Sequence, residues 1–334
     1  MKINMKEWAK SLINSPLKAG LPLMTHPGIE IISKRVIDAV TDGDVHYQAI
    51  KALYDRYSEA AACMIMDLSV EAECFGAEIS YSEDANPTVI GRCVSNADEI
   101  RALGIPSLDK GRISQILKAV GLGAESIDIP VLSGCIGPYS LAGRLYDITE
   151  MMMGIYIAPD AMIELLDKCT QFLTGYCKTL KESGANGVII AEPAAGLLSD
   201  DDCRQFSSVF IKKIVDEVQD DKFLVILHNC GNTGHCTGAM TFTGAAGYHF
   251  GNSIDMSEAL SGCPEDALVL GNLDPVGIFK MSSPQEVYEA TLSLLERCGH
   301  HRNFVLSSGC EIPPGINLDN ADAFFLAIDD YNAR

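Results

Sequence analysis

Basic residues are scarce in this sequence, which has 25 Lys and Arg against 45 Asp and Glu and a formal net charge of −20 at pH 7. Binding to nucleic acid needs clustered Lys and Arg side chains that contact phosphates. The composition therefore argues against a nucleic-acid partner. The excess of acidic residues is compatible with a basic protein partner or a cationic substrate, although solubility alone would account for it.

Long apolar runs are also missing. No segment is apolar over the roughly 20 residues that a membrane-spanning helix needs. The first twenty residues have an amphipathic helical pattern and lack the apolar core of a signal peptide. The twelve cysteines are scattered and do not form the compact framework of a small secreted domain, which indicates free thiols. We therefore expect a cytoplasmic protein without a membrane segment.

Short apolar runs recur along the chain, and most are followed by a helical pattern. Eight of them have the length and residue types of buried strands, at 21–24, 61–66, 129–133, 187–191, 223–227, 246–250, 267–270 and 304–307. This α/β alternation without an obvious linker predicts a (β/α)8 TIM barrel, with residues 1–334 as one domain and a helix at 1–20 packing on the barrel. We expect residues 71–94 to form an insertion after the second predicted strand, with a small hairpin in it.

A His and two Cys follow two of the predicted strands. His228 and Cys230 come directly after the run 223–227, and Cys310 comes shortly after the run 304–307. In a parallel barrel the two strand ends could converge, and an imidazole with two thiolates suits a zinc ion that keeps its fourth position open. Alternatively, the two Cys are small buried hydrophobic residues and the His is a hydrogen-bonded residue at a strand end.

Further polar residues follow the predicted strands, which in a barrel places them on the catalytic face. Each of them also has a structural interpretation, as a cap or as a turn residue. The candidate catalytic residues are Asp67 and Glu192, and the candidate substrate-binding residues are His26, His249, Asn252, Asn272 and Asp274. Glu192 could instead cap a neighbouring helix, and His249 is also a candidate fourth metal ligand.

Six motifs occur in an order that resembles the uroporphyrinogen decarboxylase superfamily, and within it the methylcobamide:coenzyme M methyltransferase branch. They are MDLSVEAECFGAEI at 66–79, GPYSLAG at 137–143, GANGVIIAEPAAG at 184–196, LHNCGN at 227–232, LGNLDPV at 270–276 and LSSGCEIPPGINLDN at 306–320. The resemblance runs from about Asp44 to the C-terminus. It implies a TIM-barrel fold and an enzyme.

The decarboxylase and methyltransferase branches of the superfamily differ in the residues that bind the substrate or a metal ion. Decarboxylases of this superfamily carry an arginine-rich N-terminal signature for a porphyrinogen with many carboxylates, and the corresponding PLMTHPGIEIISKRV segment has only Lys34 and Arg35. Asp67 stands where decarboxylases place a catalytic Asp, but the superfamily shares that acid. His228, Cys230 and Cys310 resemble the zinc motif of the methyltransferase branch, whereas a Glu found there after the sixth strand is replaced here by His249 and Asn252.

The resemblance implies a zinc-dependent transfer of a methyl group from a methylcorrinoid, a cobalamin-type cofactor, to a small thiol. The sequence has no Asp-x-His-x-x-Gly segment, so the corrinoid would be carried by a partner protein. Two other hypotheses remain: a uroporphyrinogen decarboxylase-type carboxy-lyase and a non-catalytic corrinoid- or tetrapyrrole-binding barrel. The identity of the thiol, the upstream methyl donor and the oligomeric state stay open.

Overall fold

Seven parallel strands form the main sheet of the protein. The structure is a computed structural model and describes residues 3–334. Its strands are β1 Ala62–Cys63, β2 Glu78–Ser80, β3 Thr88–Ile90, β4 Val131–Ile136, β5 Gly187–Ala191, β6 Leu224–Asn229, β7 Gly247–Phe250, β8 Leu268–Leu273 and β9 Phe304–Ser308. The main sheet has the order β1-β4-β5-β6-β7-β8-β9 and curls into a half-barrel, whereas β2 and β3 form a separate antiparallel hairpin. The predicted hairpin in the segment 71–94 is therefore confirmed.

Sixteen α-helices surround the strands among the described residues. They are α1 Met5–Asn14, α2 His26–Ile31, α3 Val36–Thr41, α4 Gly43–Arg56, α5 Val70–Cys74, α6 Ala97–Ala102, α7 Ile113–Ser126, α8 Pro138–Tyr146, α9 Ile148–Ile157, α10 Pro159–Glu182, α11 Asp200–Cys203, α12 Val209–Val218, α13 Thr237–Phe242, α14 Met256–Ser261, α15 Pro284–Cys298 and α16 Leu318–Asn332. None of the helices in residues 3–334 is both long enough and apolar enough to cross a membrane.

The predicted first strand, at 21–24, does not form a strand. The Leu21 N–H donates to the Leu306 carbonyl (2.8 Å), and one isolated bridge joins Gly20 to β9. The next N–H that faces β9, that of Leu23, donates to the Ser308 side-chain hydroxyl at 3.0 Å. It therefore makes no backbone hydrogen bond to β9. The strand pairing therefore gives seven strands, and the eighth strand of the predicted closed barrel is not formed.

The inner face of the sheet is apolar and packs against the N-terminal helix. Leu132, Ile189, Ile226 and other inward side chains form one cluster with Met5 and Ala9 of α1. The Met5 N–H donates to the carbonyl of Asp221, just before β6 begins, at 2.7 Å. Helix α1 therefore covers the end of the sheet where the strands start and leaves the opposite end to the polar residues.

Candidate metal centre

Three predicted metal ligands meet at the carboxyl ends of β6 and β9. His228 is the penultimate residue of β6, Cys230 follows that strand, and Cys310 follows β9 by two residues. One ligand atom from each lies within 4.8 Å of the other two, and the His228 Nε2 is 3.6 Å from the Cys310 Sγ. No other group of this kind occurs among the residues that the structure describes.

The curvature of the sheet brings these ligands together. Strands β6 and β9 are separated in the sheet by β7 and β8. At about 4.8 Å between neighbouring strands, a flat sheet would place them roughly 14 Å apart. The observed 3.6 Å between the His228 Nε2 and the Cys310 Sγ is much shorter, because the curvature of the sheet and the length of the two side chains together close this gap.

The donor atoms fit a tetrahedral zinc ion. Zinc binds sulfur at about 2.3 Å and nitrogen at about 2.0–2.1 Å, so two ligands at a tetrahedral angle lie about 3.6 Å apart. The His228 and Cys310 atoms already have that separation. Cys230 and Cys310 are half-buried, so a fourth position could open toward solvent and a substrate. These residues fit a catalytic type of zinc site.

The two thiols interact strongly with each other. A hydrogen bond from the Cys310 thiol lowers the pKa of Cys230 to about 7, although burial opposes this. The same hydrogen bond, with burial, raises the pKa of Cys310. Without a cation Cys310 therefore keeps its proton at neutral pH, and a bound metal ion would release it because metal ligands must be deprotonated.

His249 lies behind His228 and points away from the two thiols. It is fully buried, and its Nδ1 is 2.8 Å from the His228 Nδ1 while its Nε2 is 2.8 Å from the Ser307 Oγ. Burial, followed by the neighbouring His228, lowers the pKa of His249 well below its usual range. Both ring nitrogens have protein partners, and the predicted substrate contact and the role as fourth ligand stay predictions.

Asp67 is buried in an ion pair with Arg112. The carboxylate accepts from the Arg112 guanidinium and from the Ser69 hydroxyl, the latter at 2.6 Å. Arg112 also binds Glu73 at 2.9 Å. These contacts describe a buried structural ion pair, and a catalytic role of Asp67 stays a prediction.

Glu192 caps the beginning of α8. Its carboxylate accepts hydrogen bonds from the backbone N–H groups of Tyr139 and Ser140, in the first turn of that helix. Burial raises the pKa of Glu192 to about 7, against the effect of these hydrogen bonds. The structural alternative, a helix cap, therefore describes its contacts, and a catalytic role stays a prediction.

His26 contacts the segment that carries Cys310. Its Nδ1 is 3.1 Å from the Ile312 carbonyl and 3.6 Å from the Glu311 carboxylate, and its Nε2 is 3.2 Å from the Asn86 side-chain oxygen. The Asn86 amide donates to Glu311 at 2.9 Å. This network ties the β2–β3 hairpin to the loop after β9, and substrate binding by His26 stays a prediction.

Asn252, Asn272 and Asp274 line a separate cavity of about 350 Å³. The Asn272 amide donates to the carbonyls of Gly251 and Ile254 at 2.9 and 2.8 Å. Asp274 accepts from two backbone N–H groups of the turn that it begins. The structure brings these three predicted residues together, but gives Asn272 and Asp274 the contacts of loop-stabilising residues.

Glu71 is a buried acid beside β4 that should make the stability of the protein depend on pH. Glu71 accepts from the Ile136 N–H at 3.0 Å, its other oxygen has no partner, and burial raises its pKa to about 8. The folded protein therefore keeps this proton up to about pH 8, whereas the unfolded chain loses it near its ordinary value of 4.5. The stability that this proton contributes is fully present below pH 4.5 and is lost as the pH rises to 8.

We therefore expect Glu71→Gln, which imitates the protonated acid, to unfold like the parent near pH 5 and to be more stable than the parent at pH 9. The difference should be on the order of 2–4 kcal/mol, because one pKa unit is worth about 1.4 kcal/mol. Urea unfolding at both pH values measures it. The exposed Glu78→Gln is the control. An equal pH dependence of parent and Glu71→Gln would contradict the assignment.

Sequence reasoning missed four residues that support the site: Asn86, Arg112, Ser307 and Glu311. Ser307 and Glu311 stand inside the motif at 306–320 and flank Cys310, so the motif could have drawn attention to them. Asn86 and Arg112 belong to the insertion and to the segment before α7. No local pattern shows which distant side chain each of them binds.

The chain is similar to a known family of enzymes over most of its length. The family profile described as Uroporphyrinogen decarboxylase (URO-D) matches residues 24–331, and the chain belongs to that family. The family and its relatives are enzymes, either methyltransferases or decarboxylases.

Two curated relatives represent the two classes. The Methylcobamide:CoM methyltransferase MtbA of Methanosarcina mazei is 32% identical over 260 residues, which is 75% of each chain. The Uroporphyrinogen decarboxylase of Hydrogenovibrio crunogenus is 23% identical over 292 residues, 84% of this chain and 81% of that protein. A solved structure described as a methyltransferase from Methanosarcina mazei has a TM-score of 0.88 and 23% identity over 99% of both chains, which shows the same fold.

Proposed function

We propose that this protein is a zinc-dependent methyltransferase that moves a methyl group from a methylated corrinoid, held by a partner protein, to a small thiol. The observation that carries the proposal is the meeting of His228, Cys230 and Cys310, whose ligand atoms lie within 4.8 Å of one another. The 32% identity to a Methylcobamide:CoM methyltransferase supports the donor and makes coenzyme M the first acceptor to test. All twelve cysteines are free thiols, which supports a reducing cytoplasm.

The chain's own residues would hold the reacting groups. His228, Cys230 and Cys310 would bind the zinc ion, which supplies a lowered pKa so that a bound thiol is a thiolate at neutral pH. In the transfer the thiolate sulfur would form a bond to the methyl carbon, and the bond from that carbon to the methyl donor would break with its electron pair leaving with the donor. Two thiolate ligands leave little positive charge at the site, which keeps the acceptor sulfur nucleophilic.

Space for a substrate is available at the same end of the sheet. A cavity of about 320 Å³ lies between the β2–β3 hairpin, the end of β4 and the loop after β5. Leu68, Val89 and Ile136 give it an apolar lining, and Arg144 adds a cation without a carboxylate within ion-pair distance among residues 3–334. Asp147 also lines the cavity, and its carboxylate accepts hydrogen bonds from the first turn of α9. This combination suits part of a mostly apolar ligand that carries one anionic group.

The proposal is tested by mixing the purified protein with methylcobalamin and a panel of thiols, and following the cobalamin spectrum. We expect demethylation that needs a thiol, disappears on removal of zinc and returns when zinc is restored. Conversion of a porphyrinogen by the metal-free protein would instead support the decarboxylase hypothesis. Binding of the corrinoid without demethylation, for every thiol, would support the non-catalytic hypothesis.

A further inference from the structure

A series of hydrogen bonds connects the His228 Nδ1 to the backbone carbonyl of Leu21. The His228 Nδ1 is 2.8 Å from the His249 Nδ1, and the His249 Nε2 is 2.8 Å from the Ser307 Oγ. The Ser307 hydroxyl is 2.6 Å from the carbonyl oxygen of Leu21. His228 and His249 are register partners on β6 and β7, so the sheet itself holds the two rings side by side.

The Leu21 carbonyl, at the end of this series of hydrogen bonds, determines which atom is the donor in each of them. A carbonyl oxygen can only accept, so the Ser307 hydroxyl donates to Leu21 and must accept from the His249 Nε2–H. A neutral His249 then has no proton on Nδ1 and accepts there from the His228 Nδ1–H. The His249 carbonyl, 3.3 Å from the same His228 Nδ1, also requires a donor at that atom.

We propose that His249 and Ser307 are positioning residues that hold the proton of His228 on Nδ1 and so present the bare Nε2 to the two thiols and to a metal ion. The inference rests on the metal site of the proposed function. Ligating histidines are oriented by the partner of their second nitrogen, and loss of such a partner typically weakens metal binding by about 10–100-fold. Here the partner is a second imidazole whose own tautomer is set by a serine.

The test uses two substitutions at position 249. His249→Phe keeps a ring in the buried space and removes the acceptor, whereas His249→Asn places an amide oxygen near the former Nδ1. We expect His249→Phe to weaken zinc binding by about 10–100-fold in competition with a chromogenic chelator, and His249→Asn to recover most of that loss. Ser307→Ala, a smaller change, should weaken binding because His249 loses the acceptor that fixes its tautomer.

A second readout needs no metal. Long-range ¹H–¹⁵N spectra of the metal-free protein report which nitrogen of each histidine carries the proton. We expect the Nδ1–H form of His228 in the parent and a population of the Nε2–H form in His249→Phe and Ser307→Ala. An Nε2–H form of His228 in the parent, or parent-like zinc affinity in both variants, would overturn the proposal. Absence of zinc binding by the parent with the expected tautomers would overturn only the proposed function.

Discussion

Purified protein is expected to contain about one equivalent of zinc, and both Cys230→Ala and Cys310→Ala are expected to lose it. Binding of zinc by thiolate and imidazole ligands reaches about 10–16 kcal/mol in small structural sites. Removal of one of three ligands should cost roughly a third of such a value, about 4 kcal/mol, which corresponds to about a thousand-fold weaker binding. Methyl transfer to a thiol should fall with the metal content. Elemental analysis and chelator competition measure both effects.

A matched control is available for these two variants. Cys263 is half-buried like Cys230 and Cys310, but it lies outside the ligand cluster. Cys263→Ala should therefore keep the zinc and the activity of the parent. If the parent takes up no zinc under reducing conditions, or if only one of the two cysteine variants loses it, the three side chains do not share an ion and thiol alkylation at this site is wrong.

Replacement of Arg112 by Met is expected to lower the free energy of unfolding by roughly 3–5 kcal/mol, because it leaves a buried carboxylate without its counter-charge. The Arg112 and Asp67 side chains are only 8% and 1% exposed, and Arg112 also binds Ser69 at 2.8 Å. Urea unfolding of parent and variant measures the loss. The double variant Asp67→Asn with Arg112→Met should recover part of it, since the uncompensated charge is then gone.

An exposed ion pair provides the comparison. Arg92 and Glu150 are 3.9 Å apart with about half of each side chain exposed, 45% and 42%. Arg92→Met should therefore change the stability by about 1 kcal/mol or less. If Arg112→Met is as mild as Arg92→Met, the buried pair contributes no more to stability than an exposed one. If Asp67→Asn has the same methyl transfer rate per folded molecule as the parent, the role of Asp67 is structural.

The strands were predictable because their faces are buried on both sides. Runs such as the one from 223 to 227 are apolar at every position, and the structure places β6 there with all six residues buried. The predicted first strand failed for a local reason. Its Leu23 N–H donates to the Ser308 side-chain hydroxyl rather than to a backbone carbonyl of β9, and no propensity or periodicity in the sequence indicates such a side-chain bond.

The metal-ligand residues could be predicted as candidates, whereas the hydrogen-bond and ion-pair partners of the other candidate residues could not. His228, Cys230 and Cys310 stand directly after apolar runs, so a strand-end position followed from the pattern. The partners of the other candidates come from distant parts of the chain. Asp67 pairs with a residue 45 positions away, and Glu192 binds backbone N–H groups about 52 positions before it. Contacts of that range depend on how helices pack, which a single sequence does not show.

The separation of 82 positions between His228 and Cys310 has a consequence for assembly. In small zinc modules the ligands are close along the chain, and the ion organises an otherwise unfolded peptide. Here β7 and β8 must be paired and curved before both thiols and the imidazole can reach one point. At the proposed zinc site the polypeptide would therefore fold first and the metal would bind last, and we expect metal supply to change activity without changing whether the chain folds.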